Sequence, residues 1–168
     1  MQQRDLEGEK RASLEEDLDA IEARSQGLMN FTEAYRALTR VPLPNIKKVD
    51  GSHFFQRISS LFEPTLIGSQ ITWKMDIPKE QFQLLIDPDL IKQVLINLLK
   101  NVKEAVKEDT GVIHLAFSLS HDRDYSVITV TDNGSGIPED ITEKIFIPFY
   151  TTKPEGSGIG LSLTKKII

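Results

Sequence analysis

The sequence contains no cysteine among its 168 residues, which excludes disulfide bonds, thiolate metal sites and cysteine nucleophiles. Its apolar runs are only a few residues long, far below the roughly 18 needed to cross a bilayer, and no apolar signal segment follows Met1. Basic residues number 20 against 25 acidic ones, so the net charge of −5 disfavours a nucleic-acid partner. The remaining composition, 39% hydrophobic and 27% charged, is that of a globular protein.

Glycine is concentrated in one region of the chain. Of ten glycines, five lie within the 27 positions from 134 to 160, namely Gly134, Gly136, Gly156, Gly158 and Gly160. Glycine lets the backbone adopt strained conformations and lets a ligand approach closely. This region is therefore predicted to wrap a ligand.

The first forty residues contain no proline and carry one apolar stripe. Its members recur at steps of three, four or seven: Leu14, Leu18, Ile21, Leu28, Phe31, Tyr35 and Leu38. This spacing predicts an amphipathic helix of about 26 residues and roughly 39 Å, here called the stem helix. A helix of that length with a single apolar stripe favours a partner helix, as in a helical hairpin or dimer. Pro42 and Pro44 end it, so residues 1–44 are assigned to the stem helix and linker.

The rest of the chain alternates between helical and strand patterns. Helices are predicted at 54–62, from 88 to about 107 and from 160 onward, with a short helix or turn at 139–146. Strands are predicted at 70–77 and 82–86, followed by two long antiparallel strands at 112–120 and 125–131. Asp87 followed by Pro88 marks a helix start. The sequence therefore predicts an α+β domain over residues 45–168.

Four motifs carry chemistry, and the first is a pair of asparagines. Asn97 and Asn101 are four residues apart and therefore share one face of the predicted helix. Asparagine is a poor residue for a helix interior, and a buried amide needs partners, so the pair is either structural or functional. A neutral amide oxygen facing a cleft can help to hold Mg²⁺, which takes few protein ligands.

The second and third motifs follow the predicted strand at 125–131. Asp132-Asn-Gly-Ser-Gly136 is an ordinary turn signal, yet an aspartate at the end of a buried strand can also accept a hydrogen bond from the amino group of a heterocycle. The apolar run at 145–150, which contains Phe146 and Phe149, is too short for a helix and is broken by proline. It is predicted to be a core plug that can also anchor a loop.

The fourth motif is Thr151-Thr-Lys-Pro-Glu-Gly-Ser-Gly-Ile-Gly-Leu161. Alternate glycines that lead into a helix expose successive N–H donors, and the helix start carries partial positive charge, so the motif suits a phosphate. Lys153 adds a full charge. The pattern is neither a P-loop nor the dinucleotide fingerprint. Together, the four motifs predict a nucleotide site.

The order and spacing of these motifs resemble the N, G1, F and G2 boxes of bacterial sensor histidine kinases, within the superfamily that includes gyrase, the ninety-kilodalton heat-shock chaperones and MutL. The compact segment 151–158, which corresponds to the family's lid, is most similar to the nitrogen-regulation type. The resemblance covers residues from about 52 to the end. It implies a two-layer α/β sandwich of the Bergerat type with a mixed, mainly antiparallel sheet, and it makes the stem helix similar to the second helix of the dimerisation and phosphotransfer hairpin.

The resemblance also implies roles for individual residues, with ATP and Mg²⁺ as ligands. Asn101 corresponds to the metal ligand, Asn97 lies beside the phosphates, and Asp132 corresponds to the adenine acceptor. Lys153 and Thr152 are expected to reach the terminal phosphate, and Phe146 and Phe149 to couple the lid to the nucleotide. The other expected contacts are Gly134, Gly136 and Ile137 at the base, and Gly156, Gly158, Ile159, Gly160 and Leu161 at the phosphates.

The resemblance favours phosphoryl transfer over hydrolysis. Hydrolytic members of the superfamily carry a glutamate where this chain has Asn97, which cannot act as a base at neutral pH. Glu104 is the only nearby carboxylate in a position to substitute, and it is interpreted as a helix-surface residue. The sequence is thus identified as the ATP-binding module of a protein histidine kinase, which relays phosphate through a histidine to a response regulator. A non-catalytic dimerisation or regulatory module is the alternative, and a gyrase-like ATPase ranks third.

The phosphoacceptor motif of the family is absent from this sequence. His53, His114 and His121 all lie in unsuitable contexts, so the chain is expected to bind ATP without autophosphorylating. The sequence is therefore interpreted as a cytoplasmic fragment that lacks the first hairpin helix and the closing strands. This interpretation is compatible with a membrane-anchored parent protein. Self-association through the stem helix and an exposed sheet edge is also expected.

Overall fold

The computed structural model describes residues 39–120, 125–153 and 156–168, and within the stem region residues 14, 17, 18, 20–22, 24–29, 31, 32, 35 and 36. The chain divides into two compact units, Met1–Arg40 and Val41–Ile168. Two predictions fall outside the described residues: the placement of His121 and that of Leu38.

In the first unit, every described residue from 14 to 39 is helical, as the stripe predicts. Six members of that stripe are more than half exposed: Leu14, Leu18, Ile21, Leu28, Phe31 and Tyr35. The hydroxyls of Thr32 and Thr39 donate to the carbonyls of Leu28 and Tyr35, each at 2.8 Å, so these polar side chains are satisfied by the preceding turn. Among the described residues, none of the helices has the length and apolar character needed to span a bilayer.

The second unit contains five strands and three helices within the described residues. The strands are β1 (Lys47–Asp50), β2 (Thr72–Asp76), β3 (Gln83–Ile86), β4 (Val112–Leu119) and β5 (Ser126–Asp132), and the helices are α1 (Gly51–Phe62), α2 (Pro88–Ala105) and α3 (Gly160–Ile167). Short 3₁₀ turns lie at Glu63–Leu66 and Glu139–Ile141. The predicted α+β class is confirmed.

The strands form two sheets. β1 pairs with β3 in antiparallel fashion, and the second sheet has the order β2-β4-β5, with β2 parallel and β5 antiparallel to β4. The arrangement is the mixed, mainly antiparallel one that was predicted. The strand β1 was not predicted, because Lys47-Lys48-Val49-Asp50 carries no alternation of apolar and polar residues. This segment forms a strand because it pairs with β3.

The core lies between α1, α2 and the three-stranded sheet. α1 contributes Phe55 and Ile58, α2 contributes Leu95 and Leu99, and β4 contributes Ile113, Leu115 and Phe117. The three β4 residues alternate, as one face of a strand requires. The ring of Phe55 lies 5.6 Å from that of Phe117 and 5.5 Å from that of Phe54, measured between centroids. This core fixes α2, the helix that carries the asparagine pair, against the sheet.

Aspartates begin both α1 and α2. Asp50 accepts from the N–H of His53 at 2.8 Å, and Asp87 accepts from the N–H groups of Asp89 and Leu90 at 3.0 and 3.1 Å. Asp87 also accepts from the N–H of Asn45 at 2.7 Å, which ties the segment before β1 to α2. These hydrogen bonds stabilise the ionised carboxylates. The N–H groups of Asn45 and Leu90 hold the pKa of Asp87 below its ordinary 3.8, and the N–H of His53 and the Gln81 side chain do the same for the pKa of Asp50.

A lowered pKa predicts acid sensitivity. Because the folded state binds these protons less readily than the unfolded state, the stabilisation is complete above about pH 4 and is lost as the pH falls through the lowered pKa. The urea midpoint of the parent chain should therefore fall on acidification. The midpoint of Asp87→Asn should be lower than that of the parent at pH 7, and it should fall by less on acidification. Asp76→Asn, in β2 and capping no helix, is the matched control. An Asp87→Asn midpoint equal to that of the parent at both pH values contradicts the prediction.

Candidate functional site

The helix α2 carries the first motif and contacts the second and the fourth. The side-chain amide of Asn97 donates to the carbonyl of Gly160, the first residue of α3, at 3.5 Å. Two turns further along, Glu104 forms an ion pair with Lys153. At the end of α2, the carbonyl of Ala105 accepts from the N–H of Ser135 at 3.3 Å. The half-buried Asn101 lies between these contacts, so α2 gathers the separate motifs around one surface.

The loop that follows β5 packs directly on the end of α2. Asp132 is the last residue of β5, opposite Ile113, and its carboxylate accepts from the N–H of Gly134 at 2.8 Å. A Cβ on Gly134 would lie 2.6 Å from the Ala105 carbonyl oxygen, so only glycine fits this approach. Among the described residues β5 is an edge strand of its sheet, and Asp132 is exposed. Exposure leaves its carboxylate accessible from solvent.

Asn133 fixes this loop, and sequence reasoning missed it. Its side-chain oxygen accepts from the N–H of Val112 at 2.7 Å, and its amide donates to the carbonyl of Thr110 at 3.0 Å. The side chain thereby bonds the turn before β4 to the loop after β5. Asparagine in an Asp-Asn-Gly turn commonly bonds nearby backbone, and that preference was the available signal.

The apolar run at 145–150 is not a core plug, and this prediction was wrong. Phe146, Ile147 and Phe149 are between 39% and 52% exposed. The run is folded by turns, and Phe149 has a φ of 67°, a left-handed conformation that is unusual for an aromatic residue. Its N–H donates to the carbonyl of Gly158 at 2.9 Å, and Lys165 of α3 lies 5.1 Å from the Phe146 ring centroid. The rings therefore lie at the surface beside α3.

Lys153 is held from both sides at the backbone. Its N–H donates to the hydroxyl of Thr151 at 3.0 Å, and its carbonyl accepts from the N–H of Gly156 at 3.1 Å. Thr151 is thus the threonine that orders this turn, while Thr152, which is predicted to reach the terminal phosphate, is exposed. A Cβ on Gly156 would lie 2.4 Å from the Thr151 hydroxyl. The charged end of Lys153 contacts Glu104, the residue interpreted from the sequence as lying on the helix surface.

The start of α3 has the features of an anion site. Its N-cap residue is Ile159, which is buried and supplies no side-chain cap to the N–H groups of the first turn. Those N–H groups carry the positive end of the helix dipole. Gly158 precedes it with a φ of 67°, and a Cβ there would lie 2.5 Å from the Phe149 carbonyl carbon. Leu161 is half-buried and continues the helix.

The residues predicted to lie beside the adenine base are less enclosed than those at the start of α3. Gly136 has a φ of 71° and open space around its Cα, and Ile137 is 53% exposed. A cavity of about 320 Å³ lies elsewhere, between β1, α1 and the start of α2, and no predicted site residue lines it. The candidate site is therefore an open surface along α2 rather than that cavity.

This geometry suits a nucleotide. Uncapped N–H groups at the start of α3 favour phosphate, while the exposed carboxylate of Asp132 faces solvent at the end of a strand, where a flat base with an amino group can reach it. Asn101 lies between the two. The fold and the site define a nucleotide-binding α+β domain.

Comparison with known proteins gives the family. Residues 86–168 match the family described as histidine kinase-, DNA gyrase B- and HSP90-like ATPase. The catalytic domain of histidine kinase ThkA superposes with a TM-score of 0.65 at 34% identity, covering 74% of this chain and 80% of that domain. ThkA in complex with the response regulator TrrA superposes with a TM-score of 0.69 at 27% identity, covering 88% of this chain and 42% of that chain. This chain belongs to the family of histidine kinase catalytic domains.

Curated relatives agree. A putative sensor histidine kinase, NtrY-like, of Rickettsia conorii is 29% identical over 160 residues, which are 95% of this chain and 26% of the relative. Sporulation kinase A of Bacillus subtilis is 35% identical over 124 residues, 74% of this chain and 19% of that protein. The chain thus spans about a quarter or less of the length of these relatives. The resemblance inferred from the four motifs is confirmed.

Proposed function

We propose that this chain binds ATP and Mg²⁺ and presents the γ-phosphoryl group to a histidine outside its own sequence, for relay to a response regulator. The observation that carries the proposal is the convergence on α2 of Asn97, the start of α3 and the loop after Asp132. Family membership supports nucleotide binding. The ThkA–TrrA complex supports a response regulator as the downstream partner of a related kinase.

In this proposal the first, second and fourth motifs each bind one part of the nucleotide. The carboxylate of Asp132 accepts from the adenine amino group, with Gly134, Gly136 and Ile137 beside the ring. The backbone N–H groups around Gly156, Gly158 and Gly160 bind phosphate oxygens, next to Ile159 and Leu161. Lys153 neutralises the charge of the terminal phosphate, and Thr152 lies close to that phosphate. Phe149 couples the position of the lid to the nucleotide. Positioning and charge neutralisation are the main requirements of phosphoryl transfer.

The donor set also fits magnesium. Asn101 offers a neutral amide oxygen on the face of α2 that meets the phosphate motifs, and no group of three His, Cys, Asp or Glu side chains capable of holding a metal occurs among the described residues. Mg²⁺ characteristically takes one or two protein ligands, with water and phosphate oxygens as the others. When bound, it neutralises charge on the phosphates. Asn101 is proposed as its protein ligand.

Self-association and cellular location belong to the same proposal. The exposed apolar stripe of the stem helix, from Leu14 to Tyr35, supports self-association through this helix. The placement of the chain in the cytoplasm, where ATP and response regulators are found, is likewise part of the proposal.

A thermal-shift measurement tests ATP binding. A ligand that binds only the folded state at 100 times its Kd stabilises that state by about 2.7 kcal/mol, which for a domain of this size raises Tm on the order of 10 °C. We expect such a rise with ATP and Mg²⁺ and a smaller one when EDTA removes the metal. Asn101→Ala should abolish the difference that magnesium makes, whereas Asn45→Ala, just before β1, should preserve it. A Tm that ATP and Mg²⁺ leave unchanged contradicts the proposed function.

A further inference from the structure

The ion pair between Glu104 and Lys153 joins the face of α2 to the lid segment across 49 positions of sequence. Glu104 lies three residues after Asn101, so both side chains project from nearly the same face of α2. The side chains of Lys153 and Glu104 are 44% and 55% exposed, which makes the contact accessible to a ligand arriving from solvent. The residue proposed to bind the terminal phosphate therefore already has an anionic partner within the protein.

The ammonium of Lys153 can leave Glu104 for another anion without a movement of the Lys153 backbone. The Thr151 hydroxyl and the Gly156 N–H hold the backbone of Lys153 in its turn. Rotation about the four side-chain bonds of lysine can then take the ammonium away from Glu104 without any movement of the backbone. A lysine ammonium is a compact charge on a flexible stem and is suited to such an exchange.

We infer that Glu104 competes with the terminal phosphate of ATP for Lys153 and thereby sets the preference of the site between nucleoside triphosphate and diphosphate. This inference rests on the proposed function. ATP must displace Glu104 to engage Lys153, whereas ADP lacks the third phosphate and leaves the ion pair intact. The carboxylate thus weakens ATP binding selectively, and Glu104 is a specificity-determining residue that acts through Lys153.

The affinity of the variants for the two nucleotides tests this inference. An exposed ion pair contributes little free energy, so Glu104→Gln should tighten ATP binding roughly two- to fivefold and leave the Kd for ADP unchanged. The gain should shrink at high salt, which screens exposed charges. In a Lys153→Gln background, Glu104→Gln should no longer change the Kd for ATP. Isothermal titration calorimetry with Mg²⁺ measures all four proteins with both nucleotides.

Glu108→Gln is the matched control, because it removes one negative charge four positions further along the chain without breaking this ion pair. An equal gain in ATP affinity in Glu108→Gln, or a persistent gain in the Lys153→Gln background, shows a general charge effect and overturns the inference. Weaker ATP binding by Glu104→Gln also overturns it, since the carboxylate would then be positioning Lys153 for ATP. A steady release of phosphate that Glu104→Gln abolishes would identify Glu104 as a base for hydrolysis and would overturn it as well.

The ion pair can be examined without any nucleotide. Acylation of Lys153 by an N-hydroxysuccinimide ester, followed by mass spectrometry, should be faster in Glu104→Gln than in the parent chain. With the parent chain, ADP should leave this rate unchanged and ATP should lower it further. If the parent chain binds neither nucleotide, both the proposed function and the competition for Lys153 are wrong. The acylation rates still show in that case whether Glu104 and Lys153 are in contact. Equal rates in the parent and Glu104→Gln overturn the contact itself.

Discussion

Asp132→Ala is expected to weaken ATP binding roughly 10- to 100-fold. Asp132 is the only acidic side chain proposed to contact the base, and a hydrogen bond to a charged group is worth about 1.5–3 kcal/mol, which corresponds to that range of Kd. The same carboxylate accepts from the N–H of Gly134, so its removal also releases the loop that lies on the end of α2. Calorimetric titration with ATP and Mg²⁺ measures the change in Kd.

Two variants separate binding from folding in this experiment. Asp132→Asn keeps an oxygen that can accept from Gly134 and should lose less affinity than the alanine variant. Asp76→Ala changes the last residue of β2, the edge strand opposite β5 in the three-stranded sheet. This variant should keep a Kd for ATP within about twofold of that of the parent chain. If Asp132→Ala binds ATP as tightly as the parent chain, the assignment of the adenine acceptor is wrong.

Phe55→Ala is expected to cause the largest loss of stability, about 3–5 kcal/mol. The side chain of Phe55 is completely buried, and its ring contacts those of Phe54, Phe82 and Phe117 at centroid distances of 5.5, 6.4 and 5.6 Å. Alanine would leave a cavity between α1 and the sheet. Because domains of this kind are stable by only about 5–15 kcal/mol, the variant should unfold at a much lower urea concentration.

Leu61→Ala, on the same helix, is the matched control. Leu61 is 51% exposed, and alanine favours a helix, so its free energy of unfolding should change by about 0.5 kcal/mol or less. Urea denaturation followed by circular dichroism measures both variants. Similar losses in the two variants would show that the core does not lie between α1 and the sheet.

The sequence predicts those parts of the fold that depend on local signals. Asp87 and Pro88 mark the start of α2 because capping and the fixed φ of proline act within a few residues. The strand β1 escaped prediction because Lys47 and Lys48 form a strand only through pairing with Leu85 and Ile86, some 38 positions away. Tertiary pairing outweighs the weak local preference of such a segment.

The candidate site shows the same division. The order of the motifs predicted that Asn97 and the glycines around Gly158 belong to one surface, since the chemistry of each is readable from its residue types. The partner of Lys153 was not predictable, because Glu104 is distant in sequence and its role depends on how the lid segment lies on α2. The run around Phe149 was misassigned because apolar composition does not distinguish a core element from exposed rings that lie beside a helix.

The hydrogen bond from Phe149 to Gly158 has a consequence for the length of the lid. It joins the two ends of the segment 150–157, so the ends stay together whatever the number of residues between them. The entropy of closing a loop grows slowly with its length, by about 0.6 kcal/mol for each doubling. Related chains can therefore gain or lose lid residues with little effect on the stability of the domain, and the lid is where variation in length should be tolerated.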